Sequence, residues 1–228
     1  MIDAVVTKFG LARMPFGRDL PPSRLHRHRD CGEAAARITW AVADKTICMV
    51  TGEVGTGKTV AIRAAVADLD PASHTVIYVG NPSTGVRGIL AHVVTALGGK
   101  PVHGTAALAV QAWNVLAGEA AERGRTPVLV IDEAHLLDHD QLESIRLMTN
   151  HDMDSSTPFA TILVGQPTLR HSVKLGVLAA LEQRITVRYQ MKGMTPDETA
   201  GYIRHHLEQA GRTACLLYTS DAADDLTR

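Results

Sequence analysis

Short unbroken apolar runs alternate along this chain with longer stretches whose apolar residues recur every three or four positions. The short runs are "KTICMVTG" (45–52), "HTVIYVG" (74–80), "PVLVIDE" (127–133), "PFATILVG" (158–165) and "RITVRYQ" (184–190). Such runs predict strands buried on both faces, as a parallel sheet covered by helices requires. Between them the helical period predicts helices over 58–69, 86–99, 105–123 and 138–150. Three cap signals punctuate the pattern. Asp30 lies three before Glu33, which predicts a capping box and a helix to about Ala43. Asp138 and Gln141 repeat that spacing. Thr195, Pro196, Glu198 and Gly211 supply an N-cap, a first-turn proline, a box-closing carboxylate and a glycine past the end. Residues 1–29, with three prolines in "MPFGRDLPPSR", read as irregular. Strands alternating with helices predict a doubly wound α/β fold, a five-stranded parallel sheet with helices on both faces.

Composition narrows this little. Apolar residues make up 45% of 228 and charged residues 21%, ordinary for a globular domain. Lys and Arg number 23 against 24 Asp and Glu, which excludes a polycation that coats nucleic acid but leaves room for a local basic face. Cys31, Cys48 and Cys215 have no metal-ligand spacing and suit a reducing, cytoplasmic setting. No stretch approaches the roughly 18 apolar residues of a membrane span, and "MIDAVVTKFG" lacks the features of a signal peptide.

The chemistry sits in two places. "GEVGTGKT" (Gly52, Glu53, Val54, Gly55, Thr56, Gly57, Lys58, Thr59) follows a predicted strand and opens a predicted helix. Glycines at that spacing let successive backbone N–H groups face phosphate oxygens, and the helix start adds its positive dipole end. Lys58 would reach the β- and γ-phosphates and the Thr59 hydroxyl would ligate Mg²⁺. "VLVIDE" then places Asp132 and Glu133 at the end of a buried strand, facing the same crevice. Asp132 is expected to hold Mg²⁺, directly or through water, and Glu133 to act as base toward a water attacking bound ATP or GTP. Without a second motor domain the "DEAH" spelling of 132–135 does not indicate a helicase, and His135 reads as packed behind the site. If the chain is a ring-type ATPase, two more residues matter. Gln166 in "LVGQP" could touch the γ-phosphate or the water, or simply cap the next helix. Arg184 in "LEQRI" could be an arginine finger toward a neighbouring subunit, or a surface ion-pair partner.

The succession "FGLARMPF", "GEVGTGKT", "VLVIDEAH", "ILVGQPTLR", "LAALEQRI" and "MTPDETAGYIRHHLEQAG" resembles AAA+ ATPases of the ExeA/TniB-like group over about residues 9–213. That resemblance implies a linker over 1–29, an AAA+ core over 30–192 and the first helix of a lid over 193–214. It also implies duplex DNA and a transposase or similar client as partners, and assembly as a homo-oligomeric ring or filament. A secretion ATPase of the ExeA type and a nucleotide switch are the alternatives. The closing stretch "CLLYTSDAADDLTR" (215–228) resembles the in-frame translation of a sequencing-library adapter and is set aside. A lid cut there would leave ATP binding, turnover and assembly weak. Two basic stretches, "RLHRHRD" (24–30) and "LRHSVKLG" (169–176), are candidate phosphate contacts; the first could instead line the adenine side of the nucleotide site or be a solvated run. With aromatics at 4% of the chain, base-stacking platforms are not expected.

Overall fold

A computed structural model describes residues 2–17, 20–149 and 157–211. The adapter-like 215–228 and Cys215 lie outside the described residues. Arg29–Lys192 forms one compact unit, and the described residues before and after it form a second.

In chain order the elements are α1 (Ile2–Phe9), α2 (Arg29–Ala43), β1 (Ile47–Gly52), α3 (Lys58–Ala67), β2 (His74–Val79), α4 (Gly85–Ala96) and α5 (Thr105–Ala121). They continue with β3 (Thr126–Ile131), α6 (His139–Met148), β4 (Ala160–Gly165), α7 (Pro167–Val173), α8 (Ala179–Arg184), β5 (Ile185–Met191) and α9 (Pro196–Gln209). The five strands form one sheet in the order β2-β3-β4-β1-β5, and every pairing is parallel. Strand residues of alternate parity feed two separate cores, as the period-two pleat dictates. Cys48, Val50, Val128, Val130, Ile162 and Val164 pack under α2 and α3. Met49, Ile77, Leu129, Ile131 and Leu163 pack under α4, α5 and α6. Both faces are covered, which is why β1, β3 and β4 read as continuous apolar runs rather than as alternation.

Two of the three cap readings hold. Asp138 Oδ1 accepts from Gln141 N–H at 2.8 Å while Gln141 Oε1 accepts from Asp138 N–H at 3.0 Å. Thr195 and Glu198 close the same box on α9. The Asp30 reading is corrected. The α2 helix begins at Arg29, so Asp30 lies in its first turn. Its carboxylate accepts instead from the backbone N–H of Lys192 at 2.6 Å, just past β5. A non-local partner has outcompeted the local one.

In the other unit the irregular reading of 1–29 is corrected in part, since Ile2–Phe9 is helical. Ala12 N–H donates to the Ala210 carbonyl at 2.7 Å, and Arg13 Nε donates to the Gln209 carbonyl at 3.0 Å. These bonds satisfy carbonyls that the end of α9 leaves unpaired. Phe16 stacks on Tyr202 and His206, with ring centroids 5.8 and 5.2 Å apart. Among the described residues no helix is long and apolar enough to cross a membrane.

Leu129 is fully buried in a strand flanked on both sides. Leu129→Ala is expected to destabilise the Arg29–Lys192 unit by about 2–5 kcal/mol. Chemical denaturation of the two proteins checks this, and a loss under about 1 kcal/mol would contradict the packing described.

Candidate functional site

The phosphate loop joins β1 to α3, and its shape follows from its glycines. Gly55 and Gly57 have φ of 85° and 86°, left-handed values that disfavour other residues. Gly52 is needed for space, because a Cβ there would lie 2.7 Å from Thr56 Oγ1 and 3.0 Å from the Met191 carbonyl. Lys58 is buried, and its ammonium donates to the carbonyls of Gly52 and Glu53, both at 2.8 Å. The lysine is folded across its own loop. A phosphate offers the same ammonium a stronger, charge-assisted partner.

Opposite the loop, Asp132 follows β3 and is 4% exposed. A buried carboxylate must be hydrogen-bonded, and this one is at both oxygens. Oδ1 accepts from Glu133 N–H at 2.9 Å. Oδ2 accepts from the Tyr78 hydroxyl at 2.9 Å and from Thr59 Oγ1 at 3.3 Å. Tyr78 belongs to β2, beside β3 in the sheet, and sequence reading missed it. Burial first, then its bond to Asp132, pushes the Tyr78 hydroxyl up to about 12. Gly80 admits the ring, since a Cβ there would lie 3.0 Å from Tyr78 Cε1.

Glu133 turns the chain sharply after Asp132, with φ of 53°. This left-handed conformation costs a non-glycine residue roughly 1–3 kcal/mol and is the kind of strain found at functional sites. Val54, Gly55, Lys58, Thr59, Glu133 and Gln166 line one pocket of about 280 Å³. Lys58, Thr59, Glu133 and Gln166, far apart in sequence, therefore converge at the carboxyl ends of β1, β3 and β4, where open α/β sheets hold ligands. Gln166 is the N-cap residue of α7, but its side chain makes no cap hydrogen bond.

Arg184 is not in this pocket. It lies at the amino end of β5 and donates to the Thr149 carbonyl and hydroxyl at 3.2 and 3.1 Å. It lines a different pocket with Lys45 and Thr46, which precede β1. The phosphate loop follows the opposite end of β1, so Arg184 cannot serve the site of its own chain. Of the basic candidates, Arg170 donates to Gln190 Oε1 at 2.5 Å and shares a third pocket with Lys174 and Arg188.

Thr59 and Asp132 fit a hard cation. Both present oxygen, and their oxygens already lie 3.3 Å apart. Among the described residues no group of three or more His, Cys, Asp or Glu could hold a metal alone.

A five-stranded parallel sheet with a glycine-rich loop after β1, which lies between β4 and β5, defines a P-loop nucleotide hydrolase of the AAA+ type. The chain belongs to the AAA domain family, whose sequence pattern matches residues 42–173. It is 33% identical over 227 residues to general secretion pathway protein A of Aeromonas hydrophila. That match takes in 96% of this chain but only 40% of the relative's length. Among solved structures the fold is similar to Cdc6p of Pyrobaculum aerophilum, with a TM-score of 0.66 at 16% identity, covering 85% of this chain and 52% of that one. It is also similar to the ORC2 protein of Aeropyrum pernix, with a TM-score of 0.63 at 15% identity, covering 85% and 55%.

The raised Tyr78 value sets a test. Its folded-state proton is held above the ordinary value of 10.0. Burial and the bond to Asp132 together favour the neutral phenol in the folded state, a contribution to stability that is complete below about pH 10 and lost as pH rises through about 12. The phenolate absorbance of wild type minus Tyr78→Phe is expected to show one tyrosine titrating near 12. A difference curve centred at 10 would contradict the buried, Asp132-bonded environment described for Tyr78.

Proposed function

We propose that this chain binds ATP through Gly52–Thr59 and hydrolyses it with Mg²⁺. The observation that carries this is the single pocket in which Lys58, Thr59, Glu133 and Gln166 meet. In the reaction a water attacks the γ-phosphorus, the bond to the bridging oxygen breaks, and ADP and phosphate leave. Backbone N–H groups of residues 52–59 cradle the phosphates, and Lys58 neutralises charge on the group being transferred. Thr59 and Asp132 would hold Mg²⁺, which would supply charge neutralisation to the phosphates. Glu133, 46% exposed at its side chain and bordering the pocket, orients the water and takes its proton. Gln166 contacts the γ-phosphate or the water. Arg184, remote from its own site, completes that of a neighbouring copy in a homo-oligomer, where a finger stabilises transition-state charge.

What the energy is used for has two readings. The likeness to general secretion pathway protein A favours coupling to a secretion apparatus, with the larger relative carrying further segments. The motif succession from "GQPTLR" to "YIRHHLEQAG" supports coupling to duplex DNA and a transposase. The near-neutral net charge of −1 restricts DNA contact to a local face such as Arg170, Lys174 and Arg188. Such binding would be backbone-dominated and salt-sensitive.

Lys58→Ala is expected to abolish ATP binding and turnover together. Glu133→Gln is expected to keep ATP bound while turnover falls about 10²–10⁴-fold. Phosphate release and equilibrium binding of a fluorescent ATP analogue check both. Glu133→Gln with unchanged turnover would overturn the base assignment. Turnover that duplex DNA raises at low salt, and that 0.3 M salt returns to its basal rate, supports the transposition reading; turnover indifferent to DNA supports the secretion reading.

A further inference from the structure

One nitrogen behind the site faces two groups that need opposite things from it. His135 Nδ1 lies 3.4 Å from Glu133 Oε2. The same Nδ1 accepts the backbone N–H of Gln166 at 3.4 Å. A carboxylate needs N–H at that position, whereas the Gln166 N–H needs a lone pair. In a neutral imidazole only one of the two can be satisfied at a time. Both contacts are long, as expected when two partners share one atom.

The surroundings hold the ring in place. Its side chain is 12% exposed. Gly165, the last residue of β4, leaves room for it: a Cβ there would lie 3.1 Å from His135 N and 3.4 Å from His135 Cβ. The left-handed turn at Glu133 directs the chain toward that space. The strain at Glu133 and the glycine at the end of β4 thus place this imidazole between the base and the γ-phosphate contact.

We propose that His135 is a positioning residue whose Nδ1 is held alternately by the Gln166 backbone and by the Glu133 carboxylate. With Gln166 on Nδ1, the imidazole carries its proton on Nε2 and gives Glu133 no hydrogen bond. When Gln166 is drawn toward a bound γ-phosphate, Nδ1 is released. The Nδ1–H tautomer then forms and donates to Glu133, fixing the carboxylate for its work on water. The His therefore reports occupancy at one wall of the pocket to the base on the other. The catalytic half of this inference rests on the hydrolysis reading; the exchange of partners does not.

Two measurements on the full chain test it. The first is the ¹⁵N spectrum of the His135 ring without nucleotide. Replacing the Gly165–Gln166 amide by an ester deletes the competing N–H and adds no atom beside the ring, with Gln166→Ala as the side-chain control. The expected result is an Nε2–H ring in wild type and Gln166→Ala, and an Nδ1–H ring in the ester protein. An unchanged tautomer in a folded ester protein overturns the exchange. The second is steady-state ATP hydrolysis. His135→Phe is expected to lower kcat about tenfold with KM within twofold. His135→Asn, which restores a donor at the Nδ1 position, is expected to recover most of kcat, and His135→Gln, whose amide lies beyond it, is not. Equal kcat in the Asn and Phe variants, or a change confined to KM, overturns the positioning role. Absence of turnover in wild type would instead count against the hydrolysis reading, while the ring tautomers would still decide the exchange.

Discussion

The site is organised by a buried carboxylate that must not be left unpaired. Asp132 is nearly removed from water, and an isolated charge there would cost several kcal/mol. Its partners come from three places: the N–H of the next residue, the Tyr78 hydroxyl from the neighbouring strand and the Thr59 hydroxyl from the phosphate-loop helix. Satisfying one charge therefore ties β2, β3 and α3 together where nucleotide is proposed to bind. Thr59 already donates to Asp132, so in the proposed function Mg²⁺ would enter between groups that are in place.

The rest of the pocket shows the same economy. Lys58 sits on the carbonyls of Gly52 and Glu53, so the burial of its ammonium is compensated without ligand. Glu133 is the contrast, a strained residue with a half-exposed side chain and one long contact to His135. In the proposed reaction, a structure held firmly at Asp132 and Lys58 and loosely at Glu133 would bind with one set of groups and leave the proposed base adjustable.

Much of this was legible because it is local. The phosphate loop is a continuous segment whose glycines are dictated by φ and close approach. The Asp132–Glu133 pair ends a short β-branched apolar run that reads as a buried strand and is one. The boxes at Asp138 and Thr195 are complete within four residues. What escaped reading depends on who lies beside whom. Tyr78 matters because β2 pairs with β3, and strand order is not written in any window of sequence. Asp30 and Glu33 carry a correct box spacing, yet the partner of Asp30 is Lys192, reached only once β5 is placed. The short helices α1 and α8 fall below the length at which helices hold in isolation, so tertiary packing rather than propensity decides them. His135 was expected to be packed, and it is; that it lies between Glu133 and Gln166 follows from β4 pairing with β3.

The central claim is that Asp132 makes this pocket an Mg²⁺-dependent ATP-hydrolysing site. Phosphate release from ATP by the full chain, with Mg²⁺ and with chelator, beside the near-isosteric Asp132→Asn, tests it most directly. The account predicts release by wild type only with Mg²⁺, and at least a hundredfold less from a folded Asp132→Asn protein. Equal release from the two proteins, or release that survives chelation, would contradict it.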